Sequence, residues 1–427
     1  MNYQSTLEYL FALQRVGIKL GLENILALLD ALDNPQNQFP AIHIAGTNGK
    51  GSTGAMIASI LRQSGLRVGF YTSPHLVDFS ERIRVNQQSI STKKIVALTA
   101  RLRPLIEKIQ PSFFEVTTAM AFWHFAAEKV DVAVVETGLG GRLDATNLVN
   151  PLTTLITPVD FDHQNFLGNS IEDIASEKAG IIKPGVACLT NNRRPAVLNT
   201  LAERCRTVAA KFINVNETGR YEIRALGLTG SRCDFKIRGN YFEDITVNLP
   251  GKHQLENALL ALSAIIEISD KFSISQNAII DGMKNPRWRG RLHQVSENPR
   301  IIIDVSHNPS GFANTFAFLR NFFQKDQIRA ITFLQNDKDF SKIGEILIDN
   351  VHDTRIVDLQ MGKPLAPRLL LDVIKKHRGV GWIFPTFESA IKEIENDSSD
   401  HLWLIIGSHY LAGEAYRYFQ KDLNIQI

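Results

Sequence analysis

Cysteine is scarce: Cys188, Cys205 and Cys233 are the whole complement in 427 residues. No two are spaced as a CxxC pair or a metal-binding cluster, which excludes a disulfide framework and a cysteine-bound metal. Reduced thiols in a cytoplasmic protein are the expectation. An excess of one charge is missing too. Lys and Arg number 47 against 44 Asp and Glu, a net charge of +3. That balance argues against nucleic-acid and membrane partners and is compatible with small anionic substrates. No stretch approaches the roughly 18 apolar residues of a membrane span. The opening MNYQSTLEYLFALQ lacks a basic region followed by an apolar run and a cleavage site. Internal repeats and low-complexity tracts are absent as well. What is present is ordinary for a globular chain, 44% hydrophobic and 21% charged. At roughly 150 residues per domain, the length predicts about two to three domains.

Short β-branched runs alternate with longer helical patterns. Residues 42–45, 132–136, 152–157 and 301–305 read as buried strands, and 51–64, 93–109 and 171–179 carry helical spacing of apolar residues. This alternation predicts the α/β class, with mostly parallel sheets covered by helices. Between about 207 and 249 the texture changes. CDFKIRGNYFEDITVNL alternates apolar and polar residues around Gly239-Asn240, which predicts a small antiparallel hairpin. The Pro/Gly/Arg-rich segment NPRWRGRLHQV (285–295) precedes a restart of the alternation. We expect a phosphate-loop ATPase domain over 1–292 and a smaller Rossmann-like α/β domain over 293–427.

IHIAGTNGKGS (42–52) places a glycine-rich turn between a buried strand and a helix. Gly46, Gly49 and Gly51 let the backbone approach a phosphate, and the amides at the helix start point at the anion. Lys50 reaches the terminal phosphates, and Ser52 or Thr53 offers a hydroxyl to metal or phosphate. The match departs from the standard Walker pattern at Ile44, where the first glycine would fall. Glycines that serve only a tight turn are the plainer alternative, but they leave Lys50 beside Ser52 without a reason.

Three further segments follow buried strands or end a helix. VVETGLGGRLDATN (134–147) puts Glu136 at a strand's carboxyl end, where ligands bind in open α/β sheets and where a carboxylate suits Mg²⁺. TPVDFDHQNFLG (157–168) carries His163, which with Asp162 reads equally well as a loop hydrogen-bonding pair. IEDIASEKAGIIKPG (171–185) carries Lys178, which taken alone reads as a cation favoured by the dipole at a helix end.

Together with TSPHL (72–76), ERIRVN (81–86), LPGKHQLENA (249–258), RWRGRLHQV (287–295), DVSHNPSG (304–311), QNDKD (335–339) and GSHYLAGE (407–414), these segments follow the order found in folylpolyglutamate synthase/dihydrofolate synthase. The chain resembles that branch of the Mur-ligase superfamily over almost its whole length. The resemblance implies an ATP-dependent ligase that forms an acyl phosphate and adds L-glutamate to dihydropteroate or to reduced folates. It implies two Mg²⁺ ions held by Ser73, Glu136 and His163, with Lys178 carbamylated by CO₂ as a further anionic ligand and Lys50, Lys178 and His163 as the catalytic set. ATP would meet Gly49, Lys50, Gly51, Ser52, Asn257, Arg291, Asp304 and His307. For Arg291 the alternative is a solvated cluster with Arg287 and Arg289, and for Asp304 and His307 an Asx-type turn before Pro309. The pteroate or folate acceptor would meet Gly21, Leu22, His75, Arg82, Phe113, Phe114, Glu115, Leu143, Asp144 and Ala145, although adjacent aromatics also suit a core and Arg82 a surface salt bridge. The motifs depart from the pattern at Val305-Ser306 and at Phe161.

A cell-wall Mur ligase is the nearest rival, but its extra substrate domain does not fit into the 45 residues before Gly46. A nucleotide-sensing protein with an inactive ATPase domain is the other, and retention of Lys50, Ser73, Glu136, His163 and Lys178 argues against it. Whether both synthase activities are present stays open, with folylpolyglutamate synthase alone as the alternative. A monomer is expected.

Overall fold

The structure, a computed structural model, describes residues 2–16, 21–395 and 401–423. Two helices, Tyr3–Ala12 and Glu23–Asp30, precede an eight-stranded sheet. Its strands are β1 (Ala41–Ala45), β2 (Val68–Tyr71), β3 (Ile83–Val85), β4 (Gln88–Ser89), β5 (Val132–Glu136), β6 (Pro151–Ile156), β7 (Ala187–Thr190) and β8 (Phe212–Asn214). Their order is β4-β3-β2-β5-β1-β6-β7-β8. From β2 to β8 all neighbours run parallel, and β3 and β4 add an antiparallel edge. Every residue of β1, β2, β5 and β7 is buried, because helices cover both faces of a parallel sheet. The order reverses at β1, which has β5 on one side and β6 on the other. Such a switch point opens a crevice at the carboxyl ends of the strands.

Three strands, β9 (Gly219–Gly227), β10 (Gly230–Ile237) and β11 (Asn240–Val247), form a separate small sheet in the order β11-β10-β9. The hairpin read from sequence is β10–β11, turning at Arg238 and Gly239, both with positive φ. β9 had not been expected, because polar and exposed residues blur its alternation.

A six-stranded sheet follows: β12 (His293–Glu297), β13 (Arg300–Asp304), β14 (Ile328–Thr332), β15 (Asp353–Val357), β16 (Gly381–Phe384) and β17 (Leu402–Ile406), in the order β12-β13-β17-β14-β15-β16. Only β12 is antiparallel to its neighbour. Its own core gathers Phe312, Phe316, Leu319, Ile343, Leu347 and Leu404. The chain clusters into two compact units, the second made of residues 224–232, 248–253 and 288–427. Among the described residues no helix is long and apolar enough to cross a membrane.

Candidate functional site

In the first unit the chain leaves β1 at Gly46 and turns through Gly49 into the helix Lys50–Gln63. Gly46 has φ +148°, and a Cβ there would collide with Thr157 Oγ1, so no other residue fits without displacing that wall. Gly49, at φ +90°, occupies the N-cap without a side-chain cap. A Cβ on it would lie 2.6 Å from Asn257 Oδ1, which seats Asn257 against the turn. The first amides of this helix therefore rely on partners other than a capping side chain, as an anion site requires. The next segment, after β6, braces the turn. Thr47 and Asn48 donate their amides to Pro158 O at 3.0 and 3.2 Å. Thr47 Oγ1 donates to Asp160 O and accepts from Asp160 N, each at 3.0 Å.

Two lysine amines converge on one carbonyl. Lys50 Nζ donates to Gly46 O at 3.2 Å and to Thr47 O at 3.3 Å, and lies 3.8 Å from Glu136 Oε1 at the end of β5. Lys178 Nζ donates to the same Gly46 O at 2.9 Å. Lys178 is in the last turn of helix Ile171–Ala179, yet only 4% of it is exposed. Lys178 is thus at the helix end, as read from sequence, but its side chain turns inward toward the loop. Burial, reinforced by the nearby Lys50 charge and opposed by Asp162 and Asp144, pulls its pKa down to about 7.

Ser73, just past β2, belongs to the same sheet edge, since Tyr71 pairs with Val135 in register. A cis peptide links it to Pro74. His163 adopts φ +51° ahead of the short helix Gln164–Leu167. Its Nε2 lies 3.9 Å from Asp162 Oδ2, too far for a hydrogen bond between those atoms, while its backbone amide donates to Asp162 Oδ1 at 3.0 Å. The hydroxyls of Ser52 and Thr53 are buried and have no hydrogen-bond partner among the described residues. An orphaned pair of hydroxyls behind a glycine turn, on the helix whose Lys50 meets Glu136, fits a bound phosphate and its metal ion.

Several residues expected to touch an acceptor serve their own loops. Glu115 Oε2 accepts from Ser112 N and Ser112 Oγ, both at 2.7 Å, closing a capping box on helix Phe113–Ala127. Asp144 is buried. Its Oδ2 accepts from Gly138 N and Leu139 N, and its Oδ1 from Thr146 N and Thr146 Oγ1. Desolvation raises its pKa against those four bonds. Thr146 Oγ1 also meets Nε2 of the buried His43 on β1 at 2.8 Å, and burial lowers His43 to about 3. Sequence reasoning passed over this chain from His43 to Asp144, because a histidine inside an apolar strand gives no sign of its partner.

Arg82 is 7% exposed. It donates from Nε to His75 Nδ1 at 2.8 Å and stacks its guanidinium 5.2 Å over Phe113. His75, Phe11, Phe79 and Phe113 form one aromatic cluster with ring centroids 5.6–6.4 Å apart. Phe113 is core, whereas Phe114 is half-buried between Tyr71 and Gly138. Gly21 has φ +143° beside Glu23, and Leu22 is the N-cap of helix Glu23–Asp30. Leu143 is half-buried and Ala145 buried.

In the second unit Asp304 ends β13. Its carboxylate accepts from Leu292 N and Ser306 N, both at 2.8 Å, and from Thr315 Oγ1 at 3.3 Å. The Asx-type turn is thus present. His307 meets Val305 O through Nδ1 at 2.9 Å and faces the His409 ring at 5.4 Å. Arg291 donates to Gly290 O at 3.0 Å. Burial, together with the Arg291 charge and against that of Asp304, lowers the neighbouring His253 to about 4.

Residues 44–265 match the Mur ligase middle domain, and residues 290–409 match the Mur ligase, glutamate ligase domain. Over 422 residues the chain is 34% identical to the dihydrofolate synthase/folylpolyglutamate synthase of Bacillus subtilis, with 96% of this chain and 98% of that protein covered. The solved Mycobacterium tuberculosis folylpolyglutamate synthase complexed with ADP and AMPPCP superposes with a TM-score of 0.91 at 30% identity, covering 98% of this chain and 99% of that one. Escherichia coli FolC in complex with DHPP and ADP gives a TM-score of 0.89 at 28% identity, covering 98% of each chain. Matched domains over most of the length, together with a relative 34% identical from end to end, show that the chain belongs to the folylpolyglutamate synthase/dihydrofolate synthase family of Mur ligases.

Proposed function

We propose that the chain is a cytoplasmic, monomeric ATP-dependent ligase that joins L-glutamate to dihydropteroate, giving dihydrofolate, and to the γ-carboxyl of reduced folates. The observation that carries this reading is the convergence of Lys50 and Lys178 on Gly46 O beside Glu136, at the reversal of strand order. The names of the relatives supply the substrate class.

In the proposed reaction the acceptor carboxylate takes the γ-phosphoryl group of ATP, giving an acyl phosphate and ADP. The glutamate amine then attacks the acyl carbon and expels phosphate. The loop amides from Gly49 to Ser52 cradle the phosphates, and Lys50 meets the charge that grows on the transferring group. Asn257 shapes the turn from behind, while Arg291, Asp304 and His307 serve the nucleotide. Ser73, Glu136 and His163 would hold two Mg²⁺ ions, which supply charge neutralisation at the phosphates when bound. At a pKa of about 7, Lys178 is neutral in a large fraction of molecules at physiological pH. The neutral amine is the form that adds CO₂ with loss of a proton, and the resulting carbamate offers oxygens to a hard cation. Gly21, Leu22, His75, Phe114, Leu143 and Ala145 line the acceptor's path, with Arg82 fixing His75. Phe113, Glu115 and Asp144 hold those loops in shape.

Oxygen labelling tests this route. With ¹⁸O in the acceptor carboxylate, one labelled oxygen should leave in the released phosphate. Unlabelled phosphate alongside ligated product would overturn the acyl-phosphate route.

A further inference from the structure

Past β6 the chain leaves the sheet, and its backbone groups must find other partners. One side chain supplies them. Asn192, two residues past β7 and 3% exposed, reaches Ile156 O and Thr157 O with Nδ2, each at 3.1 Å. Its Oδ1 accepts from Val159 N at 2.8 Å. Thr190 Oγ1, fully buried, sits 2.6 Å from the same Nδ2 and donates to Ile156 O at 2.7 Å. We propose that Asn192, braced by Thr190, is a positioning residue for phosphoryl transfer, holding the 156–160 segment on which the phosphate loop is seated. The inference rests on reading that loop as the ATP site.

The chemistry of the clamp admits few side chains. It needs a donor toward two carbonyls and an acceptor toward one amide, from a single planar group of this length. An aspartate would aim a carboxylate at both carbonyls, and a leucine would remove the bonds to Thr157 O and Val159 N and leave Ile156 O with Thr190 alone. What the clamp fixes matters because of the next links. Pro158 O takes the amides of Thr47 and Asn48, Asp160 is bonded on both sides of Thr47 Oγ1, and Thr157 walls Gly46. The same segment runs on to Asp162 and His163. Slack at Asn192 therefore displaces the loop amides and the His163 turn together. In sequence, LTNNRRP reads as a plain turn after a strand, so nothing there marked Asn192.

The experiment compares Asn192→Ala, Thr190→Val and Thr47→Val with wild type in ADP affinity by calorimetry, the KM values for ATP and folate acceptor, and Tm. Asn192→Ala should weaken ADP binding and raise the ATP KM about tenfold, with the acceptor KM moving less than about twofold. A merely structural tie would lower Tm without this split. Adding Thr47→Val should cost less than the product of the two single effects, since both cut one chain of bonds. A folded Asn192→Ala with wild-type ADP affinity and ATP KM, or fully multiplicative effects, would overturn the proposal. If Asn192→Ala does not fold, Thr190→Val decides: about threefold weaker ADP binding is expected, and unchanged binding overturns it. ADP binding is read without any acceptor. A wild type that binds ADP but ligates no folate would therefore sink the proposed function while leaving this inference to stand or fall separately.

Discussion

Lys178 pays for its position with charge. A lysine amine kept out of water and 2.9 Å from Gly46 O, with the Lys50 charge nearby, holds its proton weakly, to about pH 7 against an ordinary 10.5. The sign of the linked stability follows. Between those values the unfolded chain binds the proton and the folded chain does not, so unfolding takes up a proton and stability rises with pH. Below about pH 7 both states are protonated and the penalty is present in full. Lys178→Met removes that term. In CO₂-free buffer the variant should gain on wild type most near pH 7, and the gap should shrink by roughly 2–4 kcal/mol by pH 10. Denaturant unfolding at the two pH values measures it, and a pH-independent gap would contradict the burial of a free amine. Lys178→Ala should lose activity steeply while staying folded, and acetate or formate should restore part of it by filling the vacated anionic position. Full activity without added acid would refute a ligand role for the carbamate.

Among the elements, the turn between β1 and the helix Lys50–Gln63 is the most constrained. Gly46→Ala combines a positive φ of +148° with a collision against Thr157. Strain of this kind costs about 1–3 kcal/mol and is relieved only by moving the loop. The ATP KM should rise at least about tenfold while the acceptor KM changes little, and steady-state kinetics with each substrate varied will show it. Equal changes in both would point to global loosening. This turn was readable in the sequence because glycine spacing and a strand-to-helix switch are local signals. The strands β1, β5, β6 and β13 were readable for the same reason, within a residue at each end. β9 and β12 were not, since antiparallel edge strands with exposed faces carry little alternation. Site chemistry divides along the same line. Lys50 and Glu136 could be named from their own motifs. The inward turn of Lys178, the occupied carboxylates of Glu115 and Asp144, and the bond from Arg82 to His75 depend on partners brought together by the fold.

At the scale of the whole molecule, two units each carry a mostly parallel sheet with an antiparallel edge strand or pair. With a net charge of only +3, the proposed reading assigns substrate recognition to local groups such as the loop amides, Lys50 and the aromatic cluster around His75. That division of labour makes glutamate ligation, rather than nucleotide hydrolysis alone, the property that the assembled chain must display. The direct measurement supplies ATP, Mg²⁺ and L-glutamate with dihydropteroate or tetrahydrofolate in parallel, and follows products by mass spectrometry and ADP by coupled assay. The account predicts addition of a glutamyl residue to both acceptors, with one ADP formed per new amide bond. ADP release without glutamyl addition to either acceptor would contradict it.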